Sequence, residues 1–322
     1  MIRSEELAAL RSGAGLVAAP PFDLLELAGP DRLQLLHGLV TCDVRQLAPG
    51  EMVAGFFTER QGKILADFVA FQGEVALRLL LPPGRGEAIA AHLDKYRLAA
   101  RVEIRPLPAT AALEVSGPRA GEALAAWSGA SAPEAARAKQ LAGEGGAVEV
   151  VPLPAASGGS RLLLFAEASE LEPVSKALLR KAESVGLRRV SVAAREVARI
   201  EDGALRFGVD FDSDHFPQET GREGDVSYTK GCYLGQEVIA RIHYRGGVQR
   251  QPYGLRFPGG LPASGAVLLH DGRPAGRATS VADSPRFGPI GLGILHRRVG
   301  EPPARLELEA GGPAELTALP VA

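Results

Sequence analysis

The spacing of apolar and polar residues divides this chain into two similar stretches and a tail of different texture. Phe22 to Ala28 reads as a strand, Gly29-Pro30 as a break, and Asp31 to Leu39 as a helix with proline near its start. Apolar runs at Val53 to Phe57, Ile64 to Phe71 and Val75 to Leu81 predict further strands. Glu87 to Tyr96 predicts a helix with Ile89, His92 and Leu93 on one face. The order then recurs. Ala111 to Val115 is a predicted strand, Gly117-Pro118 a break, Arg119 to Trp127 a helix, and Ala147 to Val151 and Arg161 to Phe165 strands. Glu170 to Val185 is a helix with a Ser169/Glu172 capping box and Gly186 just past its end. Both halves share the order strand, helix, strands, helix, with Gly-Pro at the same junction, which reads as a diverged duplication of α+β units.

The segments around these elements are less regular. Ser4 to Arg11 can form a short helix. Gly13 to Ala18 matches a dinucleotide-binding spacing, but no strand precedes it and Pro20-Pro21 blocks the required helix, so no such site is assigned. Ala135 to Gly146 and Pro152 to Ser160, rich in Ala, Gly, Ser and Pro, are expected as surface loops. Ser191 caps a helix from about Val192 to Asp202, stopped by Gly203. From Pro252 the runs become short (Tyr253 to Phe257, Ala266 to His270, Ala275 to Val281, Gly288 to Ile294, Leu306 to Leu308). Asp271-Gly272 is a strong hairpin signal, and a small closed or sandwiched β domain follows.

Composition narrows the class. The 322 residues suit two to three domains, and 46% hydrophobic with 23% charged residues is ordinary for a folded soluble chain. A net charge of −2 gives no global field for nucleic acid. Two cysteines, Cys42 and Cys232, make no disulfide framework and suit a reducing compartment. No run is long enough to span a membrane, and the N-terminus carries Arg3, Glu5 and Glu6 in place of a signal peptide's apolar core, so a cytoplasmic protein is expected.

Three places carry candidate chemistry. Lys230-Gly231-Cys232-Tyr233-Leu234-Gly235-Gln236-Glu237 sets a thiol between a lysine and two glycines just before an apolar helical pattern (Val238, Ile239, Ile242). Uncovered thiols beside positive charge tend toward thiolate, whereas a free cysteine elsewhere is usually a small buried hydrophobe. Arg199-Ile200-Glu201-Asp202 closes a helix with carboxylates, which the dipole disfavours by about 0.3–1 kcal/mol each when exposed. Either both are solvated and screened by Arg199, or they serve a site. Asp210 to His215 looks like a metal loop, but an EF-hand needs glycine and glutamate where His215 and Gly221 stand, so no metal is assigned. His243 is a weak candidate base or ligand.

The run Lys230 to Glu237 resembles the defining motif of the YgfZ family, folate-binding proteins that support iron–sulfur enzymes and are related to the glycine-cleavage T protein, an aminomethyltransferase. Phe216-Pro217-Gln218-Glu219-Thr220 resembles the segment leading into it. Leu39-Val40-Thr41-Cys42-Asp43-Val44, with Leu47 and Gly50, resembles the N-terminal motif shared with the T protein. The resemblance implies an α+β fold: two duplicated ferredoxin-like units in a cloverleaf (1–108 and 109–251) with a small C-terminal β-barrel (252–322). It implies a central cavity for tetrahydrofolate, the pterin inside and the glutamate tail outward. Arg199-Ile200-Glu201-Asp202-Gly203 resembles the T protein's pterin-binding context, so Glu201 is expected to accept from the pterin edge. Asp67, in Gly62-Lys63-Ile64-Leu65-Ala66-Asp67, keeps the second of two aspartates there and loses the first.

Cys232 and Asp67 are thus the expected reactive residues, and Glu201, Lys230, Gln236 and Arg241 the expected folate-binding ones. Lys230 and Arg241 are suited to the folate tail or to the thiol. The T protein has no cysteine at the Cys232 position, which favours an accessory factor for iron–sulfur assembly or repair over an enzyme. The expected partners are folate and iron–sulfur client or carrier proteins, without direct nucleic-acid contact or membrane. The alternatives are a folate-dependent aminomethyltransferase or demethylase and a tRNA-modification-related protein acting indirectly.

Overall fold

A computed structural model describes residues 4–108, 111–155 and 159–321; Arg3 and part of the expected loop at 152–160 lie outside them. By contact the chain groups into two compact units. One holds Met1–Phe57, Ala66–Arg195 and Thr229–Tyr233, the other Thr58–Leu65, Glu196–Tyr228 and Leu234–Ala322.

The first unit opens with α1 (Ser4–Ser12) and β1 (Ala14–Ala18). Then come β2 (Asp23–Ala28), α2 (Arg32–His37), β3 (Met52–Thr58), β4 (Ile64–Gln72), β5 (Ala76–Leu81), α3 (Gly86–Arg97) and β6 (Glu103–Leu107). The second half repeats them as β7 (Ala112–Gly117), α4 (Ala120–Ser128), β8 (Lys139–Gly143), β9 (Gly146–Leu153), β10 (Ser160–Phe165), α5 (Ala168–Lys181) and β11 (Leu187–Arg189). Sheet order repeats too. One sheet runs β3-β4-β5-β2-β6 and the other β8-β9-β10-β7-β1-β11, the same arrangement with β1 wedged before its last strand. The Gly-Pro junctions keep a shared backbone shape: Gly29 and Gly117 have φ +111° and +126°, and a Cβ would meet carbonyl oxygens of Arg101 and Gly13 at 2.2 and 2.7 Å.

Two local expectations need correction, and the segment Ala14–Ala18, assigned no element from the sequence, is a strand. It forms β1, antiparallel to β7 and parallel to β11, with Leu16 fully buried in the core of Val115, Leu124, Trp127 and Leu164. Complete burial of such a side chain is worth about 1.5–3 kcal/mol. Residues 139–143 inside the expected 135–146 loop pair with β9 as β8. The Ser169/Glu172 box does not form, because α5 already starts at Ala168 with Glu167 at its cap position and no side-chain cap bond.

The chain continues through α6 (Val192–Glu201), whose Ser191 cap forms as expected: its Oγ accepts from Ala194 N–H at 3.2 Å. In the second unit α7 (Gln236–Arg245) precedes β12 (Arg250–Arg256), β13 (Ala266–His270), β14 (Arg273–Ala278), β15 (Ser280–Ser284), β16 (Gly288–His296), β17 (Ala304–Leu308) and β18 (Pro313–Thr317). Six of these close a barrel in the order β12-β18-β17-β13-β14-β16, sealed by the β12–β16 pairing, and β15 lies outside on β16. Closure removes the free edges that a small antiparallel sheet would expose. Tyr253, Leu255, Phe257, Leu268, Leu295 and Leu316 are buried in its core. The Asp271-Gly272 hairpin has both residues at positive φ, +52° and +71°, as a two-residue turn requires.

Candidate functional site

The motif around Cys232 divides into a buried anchor and an exposed thiol. Lys230 is only 6% exposed. Its ammonium donates to the carbonyl oxygens of His37, Val40 and Cys42 at 2.7, 2.6 and 2.7 Å. The first of these belongs to the last residue of α2, where helical oxygens lack intrahelical partners and a cation is favoured, and the other two lie in the segment that follows. An ammonium has three hydrogens, and all three have an acceptor here. The expectation that Lys230 meets a folate tail is therefore replaced by a structural role. Burial pushes its pKa down to about 8, with opposing pulls from Cys42 and Asp43 and a further push from Arg45. Two residues on, Cys232 is exposed, while Cys42 is buried.

Around the anchor lies a group of polar side chains that sequence reading passed over. His37, 8% exposed, has no hydrogen-bond partner at either ring nitrogen among the described residues, although Nδ1 lies 3.2 Å from Asp43 Oδ1. Burial, and after it the Lys230 ammonium, hold His37 below the usual imidazole range, with Asp43 pulling the other way. Arg45 clasps Asp43 and lowers that carboxyl to about 2. The Thr41-Cys42-Asp43 signal pointed to this segment, but nothing in it announced a partner in Lys230.

In the second unit the motif continues into α7. Gly235 caps this helix at φ +84°, and a Cβ there would lie 2.5 Å from the Glu59 carbonyl oxygen. Thr58 Oγ1 donates to the Leu234 carbonyl at 2.7 Å, and Gln218 Nε2 to that of Ile239 at 2.8 Å. Gln236, the first helical residue, is half-buried. Arg241 is exposed and pairs with Glu237 at 3.2 Å. His243 stacks on Tyr228 with ring centroids 3.8 Å apart.

Glu201 ends α6, yet it is not solvated: it is 2% exposed. Its Oε1 accepts from Ser284 Oγ at 2.6 Å and its Oε2 from Arg286 at 3.3 Å, both at the β15–β16 turn. Arg199 does not screen it. That guanidinium is buried and donates to Asp210 and Glu196 at 2.8 Å each. Asp210 in turn accepts from Ser280 and Thr279 at 2.6 and 2.7 Å, so the first carboxylate of the metal-like loop is a core anchor. Ser284 and Arg286 were invisible to sequence reading, lying 83 and 85 residues from Glu201. Asp67 is half-buried on β4, on the strand face opposite the buried Ala66 and Phe68.

Chemically, the described residues offer an exposed thiol, a buried carboxylate that only accepts hydrogen bonds, and a half-buried aspartate. A buried carboxylate fits the paired N–H donors of a pterin edge, since each oxygen has two acceptor sites. No helix among the described residues is long and apolar enough to cross a membrane.

The chain is 26% identical over 294 residues to an aminomethyltransferase of Desulforamulus reducens, spanning 89% of this chain and 80% of that one. It is 29% identical over 234 residues to the tRNA-modifying protein YgfZ of Vibrio vulnificus, spanning 72% and 67%. Among solved structures it is similar to the glycine cleavage system aminomethyltransferase T from Bartonella henselae, with a TM-score of 0.85 at 21% identity over 99% of this chain and 89% of that one. The GCVT N-terminal domain profile matches residues 2–230, covering both sheets and reaching the Lys230 anchor; the chain belongs to the GCVT N-terminal domain family.

Proposed function

We propose that this protein binds tetrahydrofolate or a derivative of it and acts as an accessory factor in assembling or repairing iron–sulfur clusters of client enzymes. The observation that carries this reading is the exposed Cys232 in a loop whose neighbouring lysine is wholly used in holding the backbone. An exposed thiol can ligate iron or take part in thiol exchange, but a single cysteine does not complete a cluster's ligand set. A partner protein or small thiol supplies the remainder. Glu201 accepts from the pterin edge, Arg241 attracts the glutamate tail, and Gln236 lies at the start of the helix that carries Arg241. Bound folate would supply a one-carbon carrier; the residues of this chain bind and orient it.

The test is anaerobic equilibrium binding of tetrahydrofolate to wild type, Glu201→Ala and Cys232→Ser. Binding by wild type and Cys232→Ser, lost in Glu201→Ala, is the expected pattern. Activation of an iron–sulfur client by wild type and not by Cys232→Ser completes it. Absence of wild-type binding removes the folate assignment.

A second reading, folate-dependent aminomethyl or demethylation chemistry, is favoured by the length of the similarity to the Desulforamulus reducens protein and by the retained Asp67. Asp67 would then hold the folate amine and substrate amine in register. Methylene-tetrahydrofolate formation by wild type, abolished in Asp67→Ala, would establish it. The tRNA-modifying name of the Vibrio vulnificus relative fits an indirect role through a client, given the net charge of −2.

A further inference from the structure

We infer that Lys230 is the positioning residue for Cys232: its ammonium locks the thiol-bearing loop onto the segment after α2, so that the two motif segments, 37–43 and 229–233, hold a single geometry together. The inference rests on the reading of Cys232 as the working thiol, but its test does not use that function.

Three backbone oxygens converge on one point at 2.6–2.7 Å, the arrangement expected around a bound cation. The lysine side chain delivers that cation from a segment about 190 residues away, and its ammonium also lies 4.9 Å from the Tyr233 ring centroid on the far side of Cys232. Cys232 is therefore bracketed by two buried residues, Lys230 and Tyr233, that bear on the same ammonium. Gly231 sits against the anchor segment as well: a Cβ on it would be 3.7 Å from His37 Nε2. The titratable groups facing the ammonium include His37, Cys42, Asp43 and Arg45 from the segment after α2 and Tyr233 from its own loop. Lys230 thus acts on the thiol through the backbone, by fixing where the loop presents it.

Local opening reports this directly. Hydrogen exchange and iodoacetamide alkylation of Cys232, followed by peptide mass spectrometry, are compared in wild type, Lys230→Ala and Lys230→Arg. In Lys230→Ala, exchange in 38–43 and in 229–234 should accelerate together by about tenfold or more, with the barrel strand 288–296 unchanged. The Cys232 alkylation rate should move to that of a synthetic peptide spanning Thr229 to Gln236. Propylammonium in excess should restore the wild-type rate, and tetramethylammonium, which has no N–H, should not. Lys230→Arg keeps the charge, but its planar fork does not place three hydrogens at one point, so it should behave as Lys230→Ala does.

Loosening of 229–234 alone, an unchanged Cys232 rate in Lys230→Ala, or wild-type exchange and alkylation in Lys230→Arg would overturn the assignment. If Lys230→Ala does not fold, wild type decides: alkylation of Cys232 at the free-peptide rate refutes positioning, and a different rate supports it. Loss of client activation in Cys232→Ser tests the thiol's function separately, so either idea can fail alone.

Discussion

The ammonium of Lys230 lies 2.7 Å from the carbonyl oxygen of Cys42, across 188 residues of sequence. That single contact, with its neighbours at His37 and Val40, makes one object of two motifs that are separate in the chain. Lys230→Met keeps the aliphatic stem and removes the donors. Three buried carbonyls would lose a charged partner, and the first unit should lose at least about 2 kcal/mol of stability. A urea titration followed by Trp127 fluorescence measures this, since Trp127 is buried in that unit's core.

His37 makes the same region acid-sensitive. Its pKa is lowered in the folded protein, so between its folded and unfolded values the unfolded chain binds more protons. Stability from this group is therefore present above about pH 6.5, the unfolded value, and is lost as pH falls below it. His92 on α3 is lowered as well, by burial first and Lys95 second, and adds with the same sign. Unfolding midpoints measured across this window should fall with acid in wild type, less in His37→Gln, and least in the variant lacking both histidines. Asp43 does not share the transition, because its contribution is lost only as pH falls below about 3.8, the unfolded value, and through the folded value of about 2.

Ser284→Ala should expose what supports Glu201. The hydroxyl donates to the buried carboxylate at 2.6 Å and also accepts from the backbone N–H groups of Arg286 and Phe287 at 3.0 and 3.1 Å. Its loss leaves a buried charge short of a donor and a turn without its clasp, at a cost of about 1–3 kcal/mol. Calorimetry reads the cost. On the proposed folate reading, tetrahydrofolate affinity should weaken in the same variant, because Glu201 loses one of the donors that orient it.

Gly235→Ala combines a left-handed backbone with a backbone collision at the Glu59 carbonyl. No side-chain rotation relieves either problem, so the start of α7 must shift. Circular dichroism and thermal unfolding should show a loss of at least about 1 kcal/mol, the low end for a strained non-glycine residue in such a position. A wild-type melting temperature would contradict the capping geometry.

Much of this was legible in the sequence. Periodicity and Gly-Pro punctuation located β2 to β5, α2 to α4 and most barrel strands, because those elements carry their own apolar pattern. What stayed hidden depends on distant partners. Ala14–Ala18 shows no alternation, since both faces of the strand are covered: Leu16 packs with Leu124 and Trp127 of α4, and a Cβ on Gly15 would meet Leu10 of α1. Lys139–Gly143 and Pro313–Thr317 are short and half polar, and only pairing with β9 and β17 makes them strands. At the site, the motif announced Cys232 and the misplaced carboxylate announced Glu201. The Lys230 anchor stayed silent because its acceptors are main-chain oxygens, which every residue possesses.

The wedged strand β1 also constrains the order of assembly. The sheet of residues 112–189 needs Ala14–Ala18 between β7 and β11, so during synthesis it is complete only once β11 has been made. A fragment beginning at residue 109 would carry a slot lined by Val115, Leu162 and Leu187 with nothing to fill it. Such a fragment should accept a β1 peptide added in trans.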